Sequence, residues 1–176
     1  MESKGGGRFI HPTAVIEDGV TLGDGVKLWH FVHVRAGAQV GERTQIGKSC
    51  YVDANVSIGA GCKIQNFVSI FAGVTIADDV FIGPSVTFTN DLRPRASGTW
   101  VRMDTLVKTG ASIGANATII CGIAIGEHAM IAAGSVVTRS VNDYELVGGV
   151  PARPMGFVCR CGRTVVEPTP HCVHAE

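Results

Sequence analysis

The sequence predicts an all-β solenoid of short strands joined by tight corners, and three periodic observations predict it. A large apolar residue stands at every sixth position from Ile10 to Phe88, through Ile16, Leu22, Leu28, Val34, Val40, Ile46, Val52, Ile58, Ile64, Ile70, Ile76 and Ile82. That period fits neither the roughly 3.6 residues of a helical turn nor plain strand alternation. Two residues earlier stands a small or β-branched residue, as at Ala14, Val20, Val26, Val32, Ala38, Thr44, Cys50, Val56 and Cys62. Three residues later comes Gly19, Gly25, Gly37, Gly61, Gly73, Gly110, Gly122 or Gly134, with Asn55, Asp79, Asp91 and Asn116 in the same phase.

Each observation dictates one part of a repeat. A spacing of two puts the large and the small residue on one inward side of a short strand, the small one near a crowded corner. Gly, Asn and Asp are the residues that accept positive φ, so a corner is needed once per six residues. Burying each aliphatic side chain is worth roughly 1.5–3 kcal/mol, and about twenty of them offset the ordering of so regular a chain. Ile58→Asp is therefore expected to be ruinous, and most outward positions tolerant.

This pattern, from Ile10 to about Ser140, resembles the hexapeptide-repeat family. The resemblance implies a left-handed parallel β-helix of triangular section with three hexads per coil, against the usual right-handed crossover rule.

Composition bounds the rest. A chain of 176 residues needs one core, and a net charge of zero argues against a general nucleic-acid binder. No stretch is apolar and long enough to span a membrane, and the start MESKGGGR lacks the apolar core of a secretion signal. Cys50 and Cys62 fall at inward positions, nothing demands an oxidising compartment, and the cytoplasm is the expected location. The expected organisation is a flexible leader over 1–9, the solenoid over 10–140, and a cap with a Cys/His-containing tail over 141–176.

The period breaks once. After Phe88 the next position in phase is Pro94, which cannot donate to a ladder, and the pattern resumes at Val107, Ile113, Ile119, Ile125, Ile131 and Val137. A loop over about 89–106 must therefore leave the solenoid. A tolerated insertion without function is the plain reading. Against it, Asn90, Asp91, Arg93 and Arg95 crowd beside Pro94, and two arginines there can grip phosphate or carboxylate in bidentate fashion.

F-T-N-D-L-R-P-R at Phe88 to Arg95 and T-L-V-K-T-G-A-S-I-G-A-N-A-T-I at Thr105 to Ile119 resemble one subgroup of the family, the nucleotide-sugar N-acetyltransferases. So do W-H-F-V-H at Trp29 to His33, K-I-Q-N at Lys63 to Asn66 and V-G-G-V-P-A-R at Val147 to Arg153. The resemblance implies acetyl-CoA as donor, the 3-amino group of a dTDP- or UDP-linked sugar as acceptor, and a homotrimer with active sites between solenoids. It leans towards a dTDP-3-amino-3,6-dideoxyhexose, with a UDP-linked 3-amino uronate as the alternative.

Coil arithmetic tests whether the residues can bear that chemistry, since positions eighteen apart should stack. His30, Lys48, Asn66 and Pro84 then share one column, His33, Tyr51, Ser69 and Thr87 another, and Trp29 stacks over Gly47, Gln65 and Gly83. A column holding His30 and Asn66, with Gln65 alongside, reads as a strip for a hydroxyl-rich ligand. A solvated face with two incidental histidines is the competing reading. Gly114 and Ala115 fall under Ala132 and Ala133, small residues that leave a groove for an extended pantetheine arm, although tight corners also prefer such residues. Arg139 and Arg153, beyond the groove, are candidates for the CoA phosphates, Arg153 the stronger because the family places V-P-A-R near its coenzyme.

The loop contains no histidine, whereas related O-acetyltransferases carry one to deprotonate an alcohol. Asn90 can orient a nucleophile but cannot take a proton. An amine is nucleophilic as its free base, so N-acetylation is expected, with Asn90 and Asp91 positioning the amine. His30 or His33 can serve as a base if a neighbouring subunit brings it to the loop. His128, beside Glu127, ranks lower because adjacent strand residues face opposite ways.

Two other classes fit the scaffold. A γ-type carbonic anhydrase needs three converging histidines, and His30 and His33 have no third partner one or two coils later. A non-catalytic trimeric scaffold leaves the loop unexplained. In the tail, C-R-C-G at Cys159 to Gly162 and H-C-V-H at His171 to His174 resemble a degenerate zinc knuckle, but C-x-C is not the usual C-x-x-C spacing. A reduced-thiol tail, with no metal required for catalysis, is the expectation.

Overall fold

Each hexad forms a two-residue strand followed by a corner, and successive strands fall on three different faces. The computed structural model describes residues 7–169 and 172. Taken in the order the chain meets them, face A begins at Phe9–Ile10, face B at Val15–Ile16 and face C at Thr21–Leu22. Residues eighteen apart pair in parallel, as Lys27 with Gln45, Lys63 and Phe81 on face A, His33 with Tyr51, Ser69 and Thr87 on face B, and Thr21 with Gln39, Ser57 and Thr75 on face C. The result is an all-β, left-handed parallel β-helix.

The large apolar positions from Leu22 to Val137 fill one continuous core, with Phe88 its largest fully buried side chain. Polar atoms there are satisfied: Thr44 Oγ1 donates to the Gly59 carbonyl at 2.8 Å and accepts from Cys62 N at 3.0 Å. Cys50 Sγ donates to the Gln65 carbonyl at 2.9 Å. Ile10 keeps the inward phase but is 42% exposed, since it stands in the first coil among the described residues.

The corner residues take positive φ as expected at Gly19, Gly25, Gly37, Gly61, Gly73, Gly110, Gly122 and Gly134, and at Asn55, Asp79 and Asn116. Asp91 does not, since the chain has already left the solenoid there. Phe31, Arg43, Ser49, Phe67, Ser85 and His128 adopt the same left-handed conformation with φ between 53° and 61°. The cause is the ladder rather than the side chain. At each such corner the N–H donates to the coil before, to a carbonyl as from Ser49 to His30 (2.8 Å) and from Phe67 to Lys48 (2.9 Å), and at Phe31 to the Thr13 hydroxyl (3.0 Å).

Beyond the extruded segment the pairing interval changes from eighteen to thirty-one, as in Thr87 with Thr118 and Phe81 with Ser112, an insertion of thirteen residues. The solenoid resumes at the strand Thr105–Val107, so the loop ends at 104 rather than 106. Thr105 is polar yet buried: its N–H donates to the Gly73 carbonyl, and its Oγ1 accepts from Gly122 N at 3.3 Å.

After Val136–Val137, the strand Glu145–Gly149 pairs in parallel with Met130–Ile131, and Ala152–Val158 and Thr164–Val165 follow antiparallel, extending face A. Val141, Val147 and Ala152 close the end of the core.

Candidate functional site

The predicted site residues collect on two different corners of the triangle. On the corner between faces A and B, Trp29 and His30 lead out of the strand Lys27–Leu28, and Gln65 and Asn66 out of Lys63–Ile64. Together with Lys48 and Lys63 they line a cavity of about 310 Å³. Gly47 lines the cavity between the two levels, and coil stacking holds that position to glycine: a Cβ there would stand 2.7 Å from Asn66 Oδ1. Asn66 Oδ1 accepts from Lys48 N at 2.8 Å, which ties one coil to the next. Its amide nitrogen makes no hydrogen bond among the described residues and is available to a ligand. The His30 ring stacks on His11 at 3.5 Å, and desolvation together with the charge of His30 lowers the His11 pKa.

Lys48 and Lys63 carry no role in the sequence reading, although both stand in its columns or motifs. Among the described residues neither forms an ion pair; the Lys48 ammonium lies over the Phe67 ring, 5.6 Å from its centroid, and both lysines line the cavity, which gives it a positive lining for an anion.

His33 points out of face B into a different cluster. Its Nε2 lies 2.8 Å from Glu17 Oε1; Glu17 also accepts from Arg35 Nε (3.3 Å) and Ala36 N (3.0 Å), and Asp53 accepts from Arg35 (3.2 Å) and the Tyr51 hydroxyl (3.1 Å). The Ala36 N–H, then His33 and Arg35, hold the Glu17 carboxyl below its ordinary pKa. Desolvation would raise Asp53, but bonds from Ala54, Ala72 and Tyr51 outweigh it and its pKa is lowered. His33 thus belongs to a coil-to-coil network. It lies three coils from Thr87, roughly 14 Å along the axis.

On the corner between faces B and C, the loop leaves after the strand Thr87–Phe88. Asn90, half-buried at its neck, accepts from Met103 N at 3.0 Å through its carbonyl, while its side-chain amide makes no hydrogen bond among the described residues. Asp91 Oδ1 accepts from Arg93 N at 2.8 Å, a local turn that shapes the loop. Asp91, Leu92, Arg93, Thr99, Val101 and Met103 line a second cavity of about 290 Å³. The Arg93 and Arg95 side chains are exposed, and Arg95 folds back on the Pro94 carbonyl at 2.7 Å. The loop therefore carries Asn90, Asp91, Arg93 and Arg95 on one corner, with Asp91 and Arg93 lining its cavity, and keeps all four apart from His30, Gln65 and Asn66 of the same chain.

The small residues of the expected groove are held small by coil stacking. A Cβ on Gly83 would sit 2.6 Å from Ala115 N, and one on Gly114 2.5 Å from Ala133 N. Gly83, Gly114, Ala132 and Gly148 follow one another up the corner between faces A and B, with Ala115 and Ala133 one residue further round. Arg153 pairs with Gly148 across the cap hairpin and so stands in line with that column. Arg139 does not: it follows Val136–Val137 on the corner of the loop, two coils above Asn90 in register. His128 sits in a corner with φ 53°, not on a strand, so strand alternation does not govern where it points; its ring packs on Gly110 and Tyr144.

Among the described residues, the one group of three or more His, Cys, Asp or Glu side chains placed to hold a metal ion is Cys159, Cys161 and Cys172.

Residues 37–72 match the family described as bacterial transferase hexapeptide (six repeats), and 110–139 the hexapeptide repeat of succinyl-transferase. The chain is 50% identical over 159 residues to the dTDP-3-amino-3,6-dideoxy-α-D-galactopyranose 3-N-acetyltransferase of Aneurinibacillus thermoaerophilus, covering 87% of this chain and 80% of that enzyme. Among solved structures, the acetyltransferase domain of PglB from Neisseria gonorrhoeae, in complex with acetyl coenzyme A, has the same fold at 19% identity, with a TM-score of 0.56 over 87% of this chain and 60% of that one. PerB of Caulobacter crescentus, in complex with CoA and GDP-perosamine, is 28% identical at a TM-score of 0.49; the match covers 85% of this chain and 57% of that longer protein.

Proposed function

The chain belongs to the hexapeptide-repeat transferases, and from that premise we propose that it transfers an acetyl group from acetyl-CoA to the 3-amino group of a dTDP-linked 3-amino-3,6-dideoxyhexose, for a surface polysaccharide or glycoconjugate. The observation that carries the reading is the 50% identity with such an enzyme over most of both chains. The histidine-free loop agrees with it, because it offers an amide where an alcohol acceptor would call for a base.

In the reaction, the free amine attacks the thioester carbonyl carbon, a C–N bond forms and the carbonyl oxygen takes up negative charge. Collapse of that intermediate breaks the C–S bond, and the departing CoA thiolate takes the proton from the ammonium nitrogen. Asn90 orients the amine, so proximity supplies much of the rate. Lys48 and Lys63 suit the diphosphate of the nucleotide sugar, with Gln65 and Asn66 beside them for hydroxyl groups. Arg153, in line with the small-residue column, suits the phosphates of CoA.

The assembly we propose is a homotrimer in the cytoplasm. Two observations support a site shared between copies: the half-sites lie on different corners of one chain, and the loop leaves Leu92 (54%), Trp100 (54%) and Val101 (61%) exposed for a neighbouring solenoid to cover. A second copy brings the corner of His30 against the loop of the first.

Free-thiol release from acetyl-CoA, measured with the dTDP-linked 3-amino-3,6-dideoxygalactose, its 3-hydroxy analogue and a UDP-linked 3-amino uronate, tests the reading. Turnover is expected with the first alone. Equal turnover with the alcohol or the uronate overturns the assignment, and a monomer by light scattering overturns the shared site.

A further inference from the structure

We propose that Cys159, Cys161 and Cys172 bind a structural zinc ion that fastens the end of the chain to the cap. Cys159 and Cys161 occupy the turn between the strands Ala152–Val158 and Thr164–Val165. Backbone bonds fix that turn: Cys159 N donates to the Arg163 carbonyl at 3.0 Å, Gly162 N donates to the Cys159 carbonyl at 2.8 Å, and Gly162 takes φ 83°. The Cys159 and Cys161 sulfurs lie 2.7 Å apart, and Cys172 brings a third, all within 4.8 Å of one another. A tetrahedral zinc with Zn–S bonds of about 2.3 Å needs sulfurs about 3.8 Å apart. The observed separations bracket that value, and the closest pair must open by about 1 Å.

The surroundings show why a metal is needed here and not at the other cysteines. Cys50 and Cys62 sit in the apolar core and spend their thiols on the carbonyls of Gln65 and Ala77. The segment that carries Cys172 back to the turn buries almost nothing: Thr164, Val166, Glu167 and Pro168 are exposed, Val166 by 93%. Apolar burial therefore does not offset the cost of ordering these residues, whereas a metal that binds only the folded arrangement can. The turn rests against the last coil of face A, where a Cβ on Gly162 would meet the Met130 Cε at 3.1 Å. The Arg163 N–H donates to the Cys161 sulfur. Each thiol that ligates releases its proton to solvent. The fourth position of the tetrahedron falls to a donor outside these three; His171 and His174 flank Cys172 in sequence and lie outside the described residues.

The test is zinc content by mass spectrometry of the untagged full chain, purified without chelator. About one zinc per chain is expected, falling at least tenfold in Cys172→Ser and in the Cys159→Ser/Cys161→Ser double variant, and unchanged in Cys121→Ala. Because a variant can fail to fold, the wild-type chain is also loaded with Co(II), where an intense thiolate-to-cobalt charge-transfer band is expected. A zinc-free wild-type chain without that band, zinc retained in Cys172→Ser, or a Cys159–Cys161 disulfide in protein purified under reductant overturns the proposal.

Discussion

The backbone N–H of Met103 donates to the carbonyl of Asn90 at 3.0 Å, closing the neck of the extruded loop with main-chain atoms alone. The Asn90 side chain is thereby free of any structural duty among the described residues. Asn90→Ala should lower kcat by about 10²–10³-fold, the scale expected when a positioning donor is lost, and leave the melting temperature unchanged. Steady-state kinetics and a thermal melt on the same sample check this. A kcat within threefold of wild type, to within about 0.6 kcal/mol in the barrier, removes Asn90 from the mechanism.

Ile58 is buried in the core while Gln39, one coil below and directed outward, is exposed. Ile58→Asp puts an unpaired charge into an apolar interior and should cost more than about 4 kcal/mol, enough to abolish soluble protein. Gln39→Asp on the same face should change stability by no more than about 0.5 kcal/mol. Soluble yield and thermal unfolding distinguish the two.

These two cases also mark how far the sequence is legible. The inward phase is written in side-chain volume, so the core, the three columns and the place of the loop can be read from residues such as Ile58, Thr87 and Pro94. Corners at Phe31, Phe67 and His128 cannot, because the ladder imposes positive φ on side chains that do not advertise it. The site is legible only in part. Stacking puts His30, Gln65 and Asn66 together, and spacing isolates Asn90, but only the folded chain shows that the two groups occupy different corners. It also shows Lys63 lining the cavity and Arg139 beside the loop rather than along the groove. Cys172 joins Cys159 and Cys161 through a return of the chain that no period encodes.

Acid sensitivity should follow the cluster around Arg35. The pKa values of Glu17 and Asp53 are lowered in the folded protein, so it binds fewer protons there than the unfolded chain. Their contribution is complete above the ordinary carboxylate range near about pH 4 and is lost as pH falls through the depressed values. The melting temperature should therefore decline below about pH 4, and Glu17→Gln should flatten that decline. An unchanged acid limb in Glu17→Gln assigns the loss to other groups.

His33→Asn bears on the question of a catalytic base. His33 is engaged with Glu17, and Glu17 keeps its bonds to Ala36 and Arg35 without it. If the amine acts unassisted, kcat should stay within roughly threefold, and the acid limb of the pH–rate profile should persist because it reports loss of the proton from the sugar ammonium. The same holds for His30→Asn. A limb that flattens in either variant identifies that imidazole as the base.

Reactivity of the core thiols gives a direct measure of solenoid integrity. Burial pushes the Cys50 pKa up to about 11 and raises that of Cys62, against weaker opposing bonds from backbone groups and, at Cys62, from the Thr44 hydroxyl. At pH 8 a thiol of pKa about 11 carries roughly 200-fold less thiolate than an ordinary one near 8.5, before access is considered. Iodoacetamide should thus modify Cys50 and Cys62 only as fast as the solenoid opens, and peptide mapping of partly alkylated protein should find both unmodified until denaturant is added. The Thr44→Val variant sharpens the point. It removes the hydroxyl that accepts from Cys62 N and donates to the Gly59 carbonyl, leaving two buried backbone groups without that partner. Alkylation of Cys62 should then accelerate in parallel with a loss of about 1–3 kcal/mol in stability. Rapid modification of Cys50 in the untreated wild-type chain would contradict its place in the core.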